Sequence, residues 1–370
     1  MTSSAKVYRF GKILAGFAAI AAAVAVCAPA PNAGSEHFVV VNNDIFMGLN
    51  SATVMRAAGT KLNPLLDVVK TLQTGVTDLG LAVPDVAISR DAADICVFVG
   101  NGDADGGNAI SSFKYPSLSF VGNYTDSAIP NAEVGIAMAI RGSRLFAGYG
   151  GGGANGNSNI GVWVIGPGCT LTLLNNTLIS GTNGGIDSIA ATPDGRALLV
   201  SYISMSQVDS FSVNSDGSVT ERGPYSILDI GLDAMGIDIT ADGKYGFFSI
   251  HGDTFYNYTQ IAIFPINADG SLGNYYNIGG DGSLGPGEDE GYLRFSPDQR
   301  FLYSDNAGMT TLNFIENPLN LTYTGCFTKL RTPKGQRDYT IGGLATATPS
   351  GAGEASMYRR WPIQPISWHF

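Results

Sequence analysis

Carboxylates recur just ahead of short apolar runs along this 370-residue chain. Asp85, Glu133, Asp187, Asp233, Glu288, Asp289, Glu290 and Asp338 all take that kind of position. Carboxylates brought close together raise one another's pKa, which suits acid–base work. Together they can also hold a cation, a sugar or a basic peptide. The plainer reading makes them strand-end caps on a wet rim, because they do not keep one strict offset. Among them Glu288 and Glu290 are the candidate catalytic acids. Glu133, Asp187 and Asp233, with Tyr292 beside the second group, are candidate ligand-binding residues. His251 has Asp253 two residues on, the spacing of a base and the acid that orients it. It also falls where comparable stretches carry Asn43, Gly102 and Asn306, a turn position.

A second kind of chemistry is offered by Asn101-Gly102-Asp103-Ala104-Asp105-Gly106. Oxygen ligands at positions one, three and five, with Gly at six, open a calcium-binding loop. Asn101, Asp103 and Asp105 are therefore the candidate Ca²⁺ ligands. Position twelve is Ser112 rather than an acid, and Asn, Asp and Gly are also ordinary turn residues. The run from Gly148 to Gly156 has no Lys and precedes a strand, so it reads as a loop rather than a phosphate cradle. Ser201 and Ser249 lack the sharp strand-to-helix setting of a nucleophile. Tyr202, Tyr256, Tyr258, Tyr275 and Tyr276 cluster near turns, where rings either stack on sugars or pack between sheets. Asn123, Asn175, Asn257 and Asn320 stand in N-x-T sequons, which matter only in a host that glycosylates.

What must position these groups is a repeat. Ala191-Thr-Pro-Asp-Gly-Arg-Ala-Leu-Leu-Val-Ser201 reads as strand, tight turn, strand. Ile239–Ser249 and Phe295–Asp305 say the same thing, and weaker copies begin at Ile88, Ala139 and Ala347. A second motif follows at matching offsets: Asn214-Ser-Asp-Gly-Ser218 and Asn267-Ala-Asp-Gly-Ser271, a strong hairpin signal. The units run ~45–50 residues with four strands each, the period of propeller blades. The expectation is all-β, a seven-bladed β-propeller of four-stranded antiparallel blades. Six blades result if the partial units at the two ends merge. The first unit, from His37, lacks its own opening strand, and the Arg359–Pro365 stretch is a poor strand interior.

Composition narrows the partners. Formal net charge is −10, only 14% of residues are charged and 49 are glycine. No Lys/Arg footprint for nucleic acid is present. Lys6, Arg9 and Lys12 followed by apolar Ile13 to Val26 and then small residues and prolines read as a secretory signal. Residues 1–33 are expected to be signal peptide and 34–370 a single propeller domain. Cleavage near Cys27, after Ala30 or near Ala33 all fit; acylation of Cys27 and an uncleaved anchor are the alternatives. The mature protein is expected to be periplasmic, secreted or at the cell surface, monomeric, and without a membrane span. Cys96, inside an apolar run, reads as a small buried residue. A Cys169–Cys326 bridge would join distant repeats and is not favoured.

The blade sentence (S/T-P-D-G-R-x-L-Y-V, then N-x-D-G-S-L) resembles the lactonase family of seven-bladed propellers. That family includes 6-phosphogluconolactonase, carboxymuconate-lactonizing enzymes and the YVTN-repeat surface proteins. The resemblance is strongest from Gly185 to Asn306. It implies a site in the central funnel built from His, Arg and Glu. The family's Arg-His pair is absent at Gly287–Pro297, where Glu288, Asp289, Glu290 and Tyr292 stand instead. The resulting expectation is an exported propeller that binds a small molecule, carbohydrate or protein at an acidic funnel mouth. The alternative is a lactone hydrolase or isomerase that uses the same carboxylates, with or without a divalent metal.

Overall fold

The repeated turn is built alike in both copies with described side chains. Thr192 Oγ1 donates to Asp194 Oδ1 (2.7 Å) and accepts from Ala197 N (3.1 Å), while Asp194 Oδ1 accepts from Arg196 N (3.2 Å). Thr240, Asp242, Lys244 and Tyr245 repeat these bonds at 2.7, 3.1 and 3.1 Å. Gly195 and Gly243 take φ of 69° and 71°, a conformation that L side chains resist. In the second motif Asn214 Nδ2 donates to Ser218 Oγ (2.9 Å) and Asn267 Nδ2 to Ser271 Oγ (3.0 Å). The motifs are therefore self-satisfied turns that set where each strand pair begins.

The structure, a computed structural model, describes residues 37–42, 48–58, 65–78, 86–89, 94–101, 109–126, 136–149, 158–179, 185–202, 205–229, 233–251, 260–278, 290–295, 301–306, 311–316, 326–329 and 343–347. The strands are β1 (His37–Asn42), β2 (Gly48–Ala58), β3 (Leu65–Asp78), β4 (Val86–Ser89), β5 (Cys96–Asn101), β6 (Ala109–Lys114), β7 (Ser119–Thr125) and β8 (Ile136–Arg141). Next come β9 (Arg144–Tyr149), β10 (Ser158–Ile165), β11 (Leu171–Ile179), β12 (Ile186–Ala191), β13 (Ala197–Tyr202), β14 (Gln207–Val213), β15 (Val219–Ser226) and β16 (Asp233–Ile239). The last are β17 (Tyr245–His251), β18 (Gln260–Pro265), β19 (Tyr276–Ile278), β20 (Glu290–Phe295), β21 (Phe301–Asn306), β22 (Thr311–Glu316), β23 (Cys326–Lys329) and β24 (Gly343–Ala347).

Among the described residues these strands make six four-stranded antiparallel sheets. Five are sequential: β4–β7, β8–β11, β12–β15, β16–β19 and β20–β23. The sixth joins the two ends, with β24 beside β1, then β2 and β3, and Phe38 opposite Ala347. The strand missing from the first unit thus comes from the C-terminal part of the chain, as the six-sheet alternative requires. The Arg359–Pro365 stretch lies outside the described residues.

Four apolar cores fill the spaces between consecutive sheets from β1 to β19. Inner strands are therefore covered on both faces. Every residue of β4, β5, β8, β12 and β13 is buried, which is why their sequences show no clean alternation. Outer strands β7 and β15 carry mostly exposed or half-buried residues.

Consecutive sheets also meet at a recurring polar junction, where the start of a second strand touches the third-to-fourth-strand turn of the next sheet. Arg144 donates to Asn214 O (3.5 Å) and Ser215 O (3.0 Å), and Arg196 donates to Ala268 O. The junction between the β4–β7 and β8–β11 sheets is covalent, and it corrects the reading of Cys96. Cys96 is bonded to Cys169, with Cα atoms 5.4 Å apart and a sequence separation of 73. Both are fully buried. The pairing was hidden because the two positions are unlike in their own units, one opening a strand and the other in a turn. Face-to-face stacking of neighbouring units puts those two places together. Around the bridge, Gly168 N donates to Asp94 Oδ2 (2.7 Å), Lys114 pairs with Asp94 (2.9 Å), and Ser112 Oγ donates to Cys169 O (2.6 Å).

Candidate functional site

The innermost strands share one direction. Arg141, ending β8, donates from Nε to the carbonyls of Ala191 and Thr192, which end β12 (3.3 and 3.1 Å). A Cβ on Gly243, in the turn after β16, would meet Pro193 in the turn after β12 at 3.1 Å. Strands β8, β12 and β16 therefore run side by side, with their openings at a common rim. Strand β20 packs against β16 as β16 packs against β12.

At that rim three successive sheets open in the same way. The first residues of the inner strands face the last residues of their neighbours: Ile186 opposite Tyr202, Asp233 opposite His251, and Glu290 opposite Asn306. Immediately afterwards each pair slips register. The slip falls at Asp187 in β12, at Met235-Gly236 in β16, and at Gly291-Tyr292 in β20. Such bulges re-aim side chains and are common beside binding sites. In β16 the bulge is held by Gly236 N donating to Ser249 Oγ (2.7 Å), so that serine is a structural acceptor. Asp187 is buried within its sheet.

Asp187, Asp233, His251, Glu290 and Tyr292 thus all stand at the openings of three neighbouring blades. The register places Asp233, and not a residue further along the chain, across from His251. Asp253, the acid expected to orient that histidine, lies outside the described residues, as do Glu133 and Glu288. Counting back from the turn gives shifting offsets, with Asp187 five residues before Thr192, Asp233 seven before Thr240 and Glu290 six before Ser296, so strand register and not spacing aligns them.

For the calcium loop, Asp103 and Asp105 lie outside the described residues. Asn101 is fully buried, and its Nδ2 donates to Val99 O (3.2 Å), Ala109 O (2.7 Å) and Ser111 Oγ (3.0 Å). Its amide nitrogen ties the ends of β5 and β6. Among the described residues no group of three or more His, Cys, Asp or Glu is arranged to hold a metal.

The sequence reading missed an acid beneath this rim. Tyr202, grouped there with the loop aromatics, is fully buried and donates its hydroxyl to Asp209 Oδ2 (2.6 Å) in β14. Burial pushes the Asp209 carboxyl up to about 7; the tyrosine hydrogen bond opposes this, and the charge of Glu221 adds to it. Burial, then the neighbouring carboxylate, pushes the Tyr202 hydroxyl far above its ordinary value. An Asp between Val208 and Phe211, in an otherwise buried strand, was the available signal.

No protein-family model matches the chain, and no curated protein matches it in sequence. Solved structures do match. Periplasmic gluconolactonase PpgL of Pseudomonas aeruginosa aligns over 85% of this chain and 86% of its own, with TM-score 0.61 and 17% identity. A candidate 6-phosphogluconolactonase of Bacteroides uniformis aligns over 80% and 83%, with TM-score 0.56 and 14% identity. The fold shared with these structures is a β-propeller. A chain of a nidogen–laminin complex also aligns, over 84% of this chain and 98% of its own, with TM-score 0.50 and 11% identity. Propellers of this shape therefore include proteins named for hydrolysis and one solved in a binding complex. Among the described residues no helix is long and apolar enough to cross a membrane.

Proposed function

We propose that this propeller is exported and binds a small hydroxyl-rich or lactone-type ligand at the acidic rim where its innermost strands open. The observation that carries this reading is the alignment of Asp187, the Asp233–His251 pair and the Glu290–Asn306 pair on three adjacent blades. Carboxylates, an imidazole and an amide supply acceptors and donors matched to sugar hydroxyls. The buried Cys96–Cys169 bridge supports export, since such bonds persist in oxidising compartments, and the basic and apolar N-terminal pattern agrees with it.

A second reading, turnover of a bound lactone, is favoured by Asp233 standing opposite His251. A neutral His251 would take a proton from water as the water oxygen bonds to the lactone carbonyl carbon. Collapse of the tetrahedral intermediate breaks the ring C–O bond. The imidazolium then returns the proton to the departing alkoxide, leaving a hydroxy acid. Asp233 would hold the imidazole and stabilise its charged form. The comparison with structures named as lactonases supports this reading coarsely.

The test is calorimetry and hydrolysis assays with aldonolactones and their open acids, on wild type and on Asp233→Asn, His251→Ala and Glu290→Gln. Binding that weakens at least tenfold in all three variants supports the rim site. Hydrolysis lost in Asp233→Asn and His251→Ala adds the second reading. Affinity unchanged in all three would overturn both.

A further inference from the structure

Asp209 presents a buried acid that the rim chemistry does not use. It lies on β14 and is 1% exposed. Val200 faces it from β13 and Pro224 from β15. One carboxyl oxygen accepts the Tyr202 hydroxyl at 2.6 Å. The other, Oδ1, is buried without a hydrogen-bond partner. Phe211, two residues on and on the same face, belongs to the core shared with the β8–β11 sheet, together with Val200, Tyr202, Phe146, Ile160 and Val162. The acid thus sits where the β8–β11 and β12–β15 sheets press together, beside Tyr202, which pairs with Ile186 at the strand opening.

A neutral carboxyl there costs one unmade hydrogen bond. An ionised carboxylate with one bare oxygen costs far more, and among the described residues no cation stands near to offset it. The charged or titratable groups acting on it are the Tyr202 hydroxyl from β13 and the Glu221 carboxylate from β15. The buried charged residues of β8, β9, β10 and β12 are Arg141, whose Nε is held by the carbonyls of Ala191 and Thr192, and Asp187, next to Ile186. We propose that Asp209 is a pH-sensitive latch: neutral, it lets the β12–β15 sheet close on the β8–β11 sheet, and at higher pH the cost of burying its charge loosens that contact, a cost the Tyr202 hydroxyl reduces without cancelling.

Burial raises its pKa to about 7, so the loosening runs from the ordinary carboxylate range up to neutral pH. The sign follows from linkage. The folded acid holds its proton more tightly than the unfolded acid, so this contribution falls as pH rises from the ordinary carboxylate range and levels off above the folded value. The latch does not depend on what the rim binds.

The test is hydrogen exchange followed by mass spectrometry on the full-length protein from pH 5.5 to 8.5, corrected for the intrinsic exchange rate. In wild type, the opening constant for peptides spanning β13, β14 and β10 should rise on the order of thirtyfold by pH 8.5. The peptides of β18 should be left behind. Asp209→Asn, which keeps an acceptor for Tyr202 but cannot ionise, should give a flat profile. If that variant folds poorly, Tyr202→Phe decides: losing the bond that favours the charged form should move the midpoint upward. A flat wild-type profile, or a pH response retained in Asp209→Asn, overturns the proposal, as does a midpoint unmoved in Tyr202→Phe.

Discussion

Breaking the Cys96–Cys169 bridge should cost more stability than loss of any single polar contact between sheets. The perturbation is the double variant Cys96→Ala, Cys169→Ala. The bond closes a loop with a sequence separation of 73 residues. In the chain-entropy treatment, a loop of that length restrains the unfolded chain by about 4 kcal/mol at 25 °C. Unfolding entropy is about 2.1 cal/mol/K per residue, so for a chain of 370 residues 4 kcal/mol corresponds to a fall in Tm of roughly 5 °C. The geometry supports using the full entropic figure. The turn Pro167–Cys169 is already held by Asp94 and Ser112, so the native state without the bond should keep its shape. The assay is scanning calorimetry of both proteins under non-reducing conditions, with peptide mapping to show the linked pair in wild type. A fall below ~1 °C, or mapping that pairs Cys169 with another cysteine, would refute the reasoning.

Gly148→Ala should destabilise by about 1–3 kcal/mol in urea titration, as overpacked cores do. Its Cβ would lie 2.6 Å from Ile186 Cγ2 and 3.2 Å from Ile186 Cβ, and Ile186 is fully buried with nowhere to retreat. Asp216 and Asp269 should titrate below the ordinary 3.8, because Ser218 and Ser271 donate to each through hydroxyl and amide. Their contribution is complete above that value and lost as pH falls through the lower folded pKa. Carboxyl chemical shifts followed by NMR should show both values rising in the Ser218→Ala and Ser271→Ala variants.

Local chemistry alone determined the repeat. Thr-Pro-Asp-Gly-Arg and Asn-Ser-Asp-Gly-Ser close their own hydrogen bonds within a few residues, so their strands and hairpins could be placed from residue types. The period of those turns then implied sheets that must stack, since no single unit could bury its apolar strands. What required the tertiary structure was every relation between units. Cys96 and Cys169 look unrelated until one sheet lies on the next. Asp209 reads as one polar residue in a strand until Tyr202 and the neighbouring sheet bury it. The carboxylates were visible as a loose series at shifting offsets. Strand register and three successive bulges, which depend on pairing across the sheet, set Asp233 opposite His251 and Glu290 opposite Asn306 at one rim. Turn chemistry is short-ranged and so is written in neighbouring residues. Burial, register and a shared rim arise from contacts between distant ones, and only folding brings those together.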